Sequence, residues 1–466
     1  MSGYTYKKEI PVTDEVEVLI VGGGSAGIAA AAAAARRGVS TMLVESYGCL
    51  GGMATTGLVG PFMTSYDATG EVQVIKGIFD ELVRNMEERG GAIHPSKVRS
   101  GSTYCSFILR GHDHCTPFDP EVLKISAEEM VLKSGCRLLL YTKIIDVILD
   151  GDRITGVVAA CKSGLRVIKA QIVVDCSGDA DIAAMSNAPC ILGAEEDNWM
   201  QPGSMFFRAG NVNSDEVELE ISRNRYRLGF DGKRNWGTFH WIVTEGIKKG
   251  EWDIDRSSLG MYESNVKGEW RLNISRLTGI DGTKSEDLTK ASIEGRKQAF
   301  KIFEFLKKNV PGYQNSRLID TGSSIGIRET RHIKGEYILN ENDLLDGIIP
   351  EDSILMASNS VDVHAKGEHQ GSGVYTTMRN GRWYGVPYRV LVPLKIDNLL
   401  VAGRPVSATP NAASAIRVIP PCFGLGEAAG TAAALAIKSS TTPRSVNVKK
   451  LIDMLKEQGA FLEQDN

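Results

Sequence analysis

A chain of 466 residues, 42% hydrophobic and 24% charged, is long enough for a large core and more than one lobe. Its formal charge of −4 gives no electrostatic footing for nucleic acid or an anionic membrane. No basic-then-apolar leader opens it and no alanine run is long enough to span a bilayer. Its eight cysteines lack a C-x-x-C pair, which fits a reducing cytoplasm rather than a disulfide or zinc framework.

After a polar lead-in over 1–15, residues 16–21 read as a short buried strand stopped by glycine. Gly22, Gly24 and Gly27 follow in G-x-G-x-x-G register. The first permits a tight turn, the second bares backbone to a phosphate, and the third lets helix pack close on strand. Residues 25–37, with seven successive alanines from Ala29 to Ala35, suit that helix, and Gly38 ends it. Residues 41–45 form a second strand. Glu45 stands eighteen residues past Gly27, where a carboxylate can accept both hydroxyls of an adenosine ribose. The pattern predicts a dinucleotide-binding βαβ unit; one that bound nothing would leave Glu45 unexplained at the end of a buried strand.

The stretch 46–57, with Ser46, Gly51, Gly52, Met53, Ala54 and Thr55, predicts a loop whose amides point at a pyrophosphate or a flat ring. Residues 77–89 have amphipathic helical spacing, halted by Gly90-Gly91. His112, His114 and Cys115, with Cys105 upstream, make a poor metal set; a loop bordering the ligand and a plain surface loop are the other readings. Asp119 then Pro120 is a helix start for 122–133. Strands at 137–141, 143–149, 155–161 and 166–169 predict a small antiparallel ribbon with hairpin turns near Gly151 and Gly164. A further buried strand, 171–175, ends in Cys176-Ser177-Gly178-Asp179, a second place for backbone to meet a ligand.

From 197 to about 320 the character changes. Trp199, Trp236, Trp241, Trp252 and Trp270 fall here with dense, balanced charge, and 288–309 is an amphipathic helix closed by Pro311. This predicts an inserted, substrate-facing lobe, with Arg208, Arg271 and Arg276 either holding an anion or belonging to a solvated face. Residues 321–339 read as a strand returning to the nucleotide lobe. On it Arg328 and Arg331 hold phosphate or substrate, or pair with carboxylates between lobes. His364, Tyr388 and Arg389 are the most chemically able side chains that follow; a neutral His364 can move a proton near neutral pH, or serve structure. Residues 398–404 are a strand running into a turn at Gly403-Arg404. Arg417, Ile419, Pro420 and Pro421 open an alanine-rich helix over 422–437, and a polar tail with a helix over 448–457 closes the chain.

These elements together resemble the FAD-dependent oxidoreductase family that shares the glutathione-reductase-type FAD fold with fumarate reductase and succinate dehydrogenase flavoproteins. The resemblance runs nearly end to end. Its landmarks are residues 21–27, Glu45 with 51–55, Phe118-Asp119-Pro120-Glu121, 175–179, the Arg328/Arg331 segment, Pro387-Tyr388-Arg389, Ala402-Gly403-Arg404, and Arg417 with Gly426-Glu427-Ala428-Ala429-Gly430. It implies an α/β fold with a Rossmann-like FAD-binding domain over 1–196 and 336–466 and an inserted α+β substrate domain over 197–335. The implied FAD is non-covalent, since no histidine follows Gly51-Gly52 as it does where flavin is covalent. By the same resemblance Gly22, Gly24, Ser25, Ala26 and Gly27 hold its pyrophosphate, bordered by Cys176, Ser177 and Gly178. Glu45 holds the adenosine ribose and the Ile144 backbone touches adenine. Gly403, Arg404, Arg417, Ile419, Pro420 and Pro421 line the ribityl chain and isoalloxazine, where the helix's positive end stabilises reduced flavin.

The expected reaction is hydride exchange between flavin N5 and a carbon of a small polar substrate. His364 and Tyr388 are the expected proton movers, and Arg328, Arg331 and Arg389 the holders if that substrate is an anion. A second G-x-G-x-x-G for nicotinamide and a Cys-x-x-x-x-Cys pair are both absent. Electrons then pass to or from oxygen, a quinone, a carrier protein, or a pyridine nucleotide bound without its own domain. The alternatives are a flavin monooxygenase or halogenase, and a protein that keeps FAD for structure or elimination. The expected partners are a small-molecule substrate and an electron acceptor or donor, without nucleic acid or membrane; a homo-oligomer is compatible with the sequence.

Overall fold

A computed structural model describes residues 3–5, 7–109, 111–194, 198–230, 235–364 and 374–463 of the protein. Val12–Val21 (β1) is buried at every residue from Val18 onward, as a strand covered on both faces must be. It ends at Gly22, whose φ of +98° is a left-handed backbone that a side chain resists. Ser25–Arg36 (α1) follows, its alanines buried all round. Thr41–Val44 (β2) then runs parallel to β1 with Val44 opposite Val21.

Ile78–Glu88 (α2) and Pro120–Lys133 (α3) cover this unit. The start of α3 is built as the sequence predicts: Asp119 accepts the Glu121 N–H at 2.8 Å and Pro120 stands in the first turn. Arg137–Leu139 (β3) joins β2 in parallel, and Thr142–Asp150 (β4), Arg153–Cys161 (β5) and Gly164–Asp175 (β6) form the antiparallel ribbon. One expectation changes here. Residues 166–169 and 171–175 are a single strand, because Ala170 is buried and carries the pleat through. The first half of β6 pairs with β5, and nearly its whole length lies parallel to β1. Its last three residues also pair with Leu399–Val401, a strand from the far end of the chain. The result is a mixed α/β body with a seven-stranded sheet. Its parallel strands end level, with Val21 opposite both Val44 and Asp175, and Asp175 opposite Val401.

A second sheet is antiparallel throughout, with Met261–Glu263, Trp270–Leu272, Phe207–Gly210 and Arg317–Thr321 side by side. The helix Ser285–Asn309 shares its separate apolar core through Ala291, Ala299, Ile302 and Leu306. The Trp236 side chain lies outside the described residues. The returning strand expected over 321–339 is shorter: Arg317–Thr321 precedes it, only Arg331–Ile333 within it is extended, and the glycines and serines between favour turns.

Ile419–Lys438 (α4) ties the end of the chain to its beginning. Gly426 and Gly430 face the carbonyls of Ala26 and Ala30, where a Cβ would stand only 2.0 and 2.1 Å from the oxygens. Two helices meet this closely only where one has no side chains. The apolar pair Pro410–Ile416 and α4, bent by 92°, is buried in this core. Among the described residues no single helix is long and apolar enough to cross a membrane.

Candidate functional site

The carboxyl ends of the parallel strands open into a cavity of about 650 Å³, within the usual range for a ligand site. Its first end comes from the start of the chain: Gly22, Gly24, Ser25, Ala26, Glu45 and Ser46. Gly24 precedes α1 with φ −74° and ψ −169°, so the amides of that helix's first turn lie at the cavity wall. Gly27 is not part of the wall. Its Cβ would fall 1.8 Å from the Gly22 carbonyl oxygen, so this glycine sets helix against strand. Glu45 is held by both neighbouring loops: one oxygen accepts the Gly23 N–H at 2.6 Å and the other the Tyr47 N–H at 2.7 Å.

Gly52 and Met53 line the cavity, with Gly52 pressed against Gly24. Gly51, Ala54 and Thr55 stand behind them: the Gly51 N–H donates to the Gly23 carbonyl and the Thr55 hydroxyl to the Leu50 carbonyl. The middle of the wall is Ile144, Cys176, Ser177, Gly178, Gly403 and Arg404. Asp175, fully buried, fixes that turn by accepting the amides of Ser177, Ile182 and Ala183 at 2.9–3.1 Å. Burial still lifts its carboxyl to about 6. Arg404 donates from Nη2 to Asp179 at 2.6 Å, while its buried Nη1 meets no partner among the described residues.

The other end is lined by His112, Arg256, Tyr262, Asn273, Arg328, Asp362, His364, Arg417 and Ile419. His364 Nε2 lies 3.8 Å from an Asp362 oxygen. Burial, then the charges of Arg328, Arg256, Arg417 and Arg276, push the His364 pKa well below its ordinary value, so the imidazole is neutral. Burial raises the Asp362 carboxyl, against the pull of Arg417, Arg328 and Arg256. His112 is pushed down to about 4 by burial and stacks on Tyr262, ring centres 6.0 Å apart. Of its neighbours in sequence, His114 bonds the Pro95 and Gly70 carbonyls. No metal-binding group of three His, Cys, Asp or Glu occurs among the described residues.

Several expected site residues lie elsewhere. Tyr388 is in the core, its hydroxyl donating to the Pro443 carbonyl at 2.8 Å, and Arg389 pairs with Asp352 at the surface. Arg331 stands behind the wall on Asp181 and the Asp179 carbonyl. Pro420 and Pro421 are buried in the first turn of α4, leaving Ile419 at the cavity. Arg208 pairs with Asp320, Arg271 lies 3.9 Å over the Phe118 ring, and Arg276 pairs with Asp255, so none of the three forms the cavity wall. In the other direction, Arg256, Tyr262 and Asn273 carry no sequence signal. They share a cavity wall with Arg328 only because the second sheet and its loops lie against the first.

The family model described as FAD dependent oxidoreductase matches residues 17–455. No curated protein matches the chain. Solved structures similar to it include a geranylgeranyl bacteriochlorophyll reductase-like protein from Thermoplasma acidophilum, at 13% identity and TM-score 0.46, covering 96% of this chain and 84% of that one. L-proline dehydrogenase from P. horikoshii is similar at 12% identity and TM-score 0.45, covering 97% and 99%. The p-nitrophenol 4-monooxygenase from Pseudomonas putida DLL-E4 is similar at 11% and 0.45, covering 97% and 91%.

Proposed function

The chain belongs to the FAD-dependent oxidoreductase family, an enzyme with FAD as its cofactor, and we propose that it exchanges a hydride between flavin N5 and a carbon of a small polar substrate. One observation supports this reading: a single cavity takes its walls from both ends of the chain, with the Gly22–Gly24 turn at one end and His364 beside Asp362 at the other. The residues present fit the cofactor. A Cβ on Gly24 would meet nothing nearer than 3.9 Å, and the buried Nη1 of Arg404 is left for a ligand. When bound, FAD supplies a two-electron acceptor or donor.

In this reading the chain's own groups bind and orient. Gly22, Gly24, Ser25, Ala26, Ser177 and Gly178 hold the pyrophosphate, Glu45 the ribose and Ile144 the adenine. Gly403, Arg404, Arg417 and Ile419 line the remainder, and the positive end of α4 favours negative charge there. His364, kept neutral, accepts or returns the substrate's proton at the ring nitrogen turned away from Asp362, whose carboxyl lies 3.8 Å from Nε2. Residues 1–196 and 336–466 act as an FAD domain of the glutathione-reductase type. Residues 197–335 serve as an inserted α+β substrate domain, contributing Tyr262 and Asn273 to the far end. The eight free cysteines suit a cytoplasmic enzyme that trades electrons with a separate acceptor or donor.

Anaerobic mixing with panels of sugars, hydroxy acids, amines and enoates tests the reading through flavin absorbance. A true substrate bleaches the flavin, and His364→Gln slows that bleaching while flavin content stays full. Full flavin content with unchanged bleaching rates in His364→Gln removes the histidine from the reaction. Substrate-dependent NAD(P)H oxidation without anaerobic bleaching favours a monooxygenase instead.

A further inference from the structure

The uncharged polar groups of the cavity wall fall into two sets. One set is engaged by the protein itself. Thr142 donates to the Leu140 carbonyl at 3.0 Å, Thr56 to the Gly52 carbonyl at 2.9 Å and Ser324 to the Thr56 hydroxyl at 2.9 Å, while Ser177 accepts the Asp181 N–H at 3.0 Å. The other set is the hydroxyls of Ser204, Ser258, Tyr262 and Ser292 with the Asn273 amide nitrogen. These line the same cavity, and none of them makes a hydrogen bond among the described residues. The Ser204 hydroxyl is also buried, and buried polar groups nearly always have a partner.

Two members of the second set stand together on the antiparallel sheet. Tyr262 lies opposite Arg271 on the neighbouring strand, and the Asn273 N–H donates to the Gly260 carbonyl at 2.8 Å. Residues two apart share a face of a strand, so Tyr262 and Asn273 are diagonal neighbours on the face that lines the cavity. A guanidinium can only donate, so the Asn273 side-chain oxygen faces Arg328 at 3.4 Å and its amide nitrogen is turned away. The Tyr262 ring stacks on His112, and burial raises the phenol's pKa, so its hydroxyl keeps its proton and can donate. Ser258 is set against Gly237, where a Cβ would stand 2.6 Å from its hydroxyl oxygen.

We propose that this wall binds a compact, uncharged molecule carrying several hydroxyl groups, a polyol or a sugar, and that the substrate belongs to that class. The inference rests on the proposed function for the word substrate, but the binding wall stands on its unpartnered groups alone. A hydroxyl both donates and accepts, so several on one ligand can pair with a phenol, an amide and serines at once. A ligand with a single hydroxyl leaves most of these groups desolvated and unpaired. The reacting carbon bears one of the substrate's hydroxyls. Its C–H gives a hydride to the flavin, its O–H gives the proton to neutral His364, and the C–O bond becomes C=O, so a carbinol is oxidised to a carbonyl as the flavin gains two electrons.

Calorimetric titration of the purified, FAD-loaded protein with D-glucose, myo-inositol and xylitol, against cyclohexanol and D-glucuronate, tests this directly, with flavin absorbance followed anaerobically in parallel. At least one of the polyols is expected to bind at millimolar concentration or below and to bleach the flavin. Cyclohexanol should bind about tenfold more weakly or not at all, and glucuronate no more tightly than glucose. Tyr262→Phe and Ser258→Ala each remove one hydroxyl and should weaken polyol binding about threefold to tenfold at unchanged flavin content. Tyr226→Phe, which removes an exposed hydroxyl, should leave it unchanged. Ser258→Ala still decides the matter if Tyr262→Phe fails to fold. No binding by any of the polyols, equal binding of cyclohexanol, tighter binding of glucuronate than of glucose, or full affinity in both variants overturns the inference. Polyol binding that depends on these hydroxyls but leaves the flavin oxidised overturns the hydride reading instead, and the binding wall stands.

Discussion

Gly24→Ala separates the ligand's need for glycine from the fold's. Its φ and ψ suit any residue, and an added Cβ would have open space with Gly52 Cα nearest at 3.9 Å. The substitution should leave the apo protein's stability within about 1 kcal/mol, and it removes some unfolded-state freedom, worth about 0.4–1 kcal/mol in the stabilising direction. That methyl enters the cavity where, in the proposed reading, a phosphate meets bare backbone. Losing one or two charge-assisted amide–phosphate bonds, each worth about 1.5–3 kcal/mol, comes to about 3 kcal/mol, or roughly 100-fold weaker FAD binding. Reconstitution of deflavinated protein, followed by quenching of flavin fluorescence, measures the affinity; thermal unfolding of the apo forms measures the fold. Gly27→Ala is the counterpart, since its Cβ would collide with Gly22 at 1.8 Å and damage the fold itself. If Gly24→Ala bound FAD as tightly as the parent, or melted several degrees lower as apoprotein, the reasoning would be refuted.

Other consequences follow from packing and protonation. Gly426→Ala drives a methyl into the Ala26 carbonyl, so α1 and α4 must separate; a loss of several kcal/mol should appear as insoluble or low-melting protein. Glu427, buried on α4, accepts the Ile78 N–H at the start of α2 at 3.1 Å, and burial raises its carboxyl from 4.5 to about 7. Its favourable contribution is whole below about pH 4.5 and is lost as pH rises through 7, about 3 kcal/mol at ~1.4 kcal/mol per pH unit. The difference in melting temperature between Glu427→Gln and the parent should therefore change across that window, and a difference independent of pH would contradict the assignment. Tyr388→Phe removes one buried hydrogen bond, so stability should fall by about 1 kcal/mol while the flavin spectrum and reduction rates hold; altered reduction rates would return Tyr388 to the reaction.

The near end of the site was readable because its chemistry is local. Gly22, Gly24 and Glu45 lie on one βαβ unit, where turn, helix start and strand end have fixed spacing, and Asp119-Pro120 marks a helix start by the same short-range logic. The far end is assembled over long range. Arg256 sits in a loop that no periodicity distinguishes, and it meets Arg328 through Asn273 only after the antiparallel sheet has formed. Tyr388 and Arg389 looked capable by residue type alone. Residue type does not say which way a strand end turns: one side chain enters the core and the other pairs with Asp352. The continuous β6 is not legible in the sequence for a related reason, since its two halves pair with strands 240 residues apart in the chain, β5 ending at Cys161 and the last strand at Val401.

The central claim is that one cofactor spans walls drawn from both ends of the chain, and cofactor stoichiometry tests it most directly. Gently purified protein should release one FAD per chain on acid denaturation, with none left attached, and Gly24→Ala and Gly403→Val should each lower that yield from opposite ends of the sequence. A colourless protein that refuses added FAD, or a yield that one of these substitutions leaves untouched, would contradict the account.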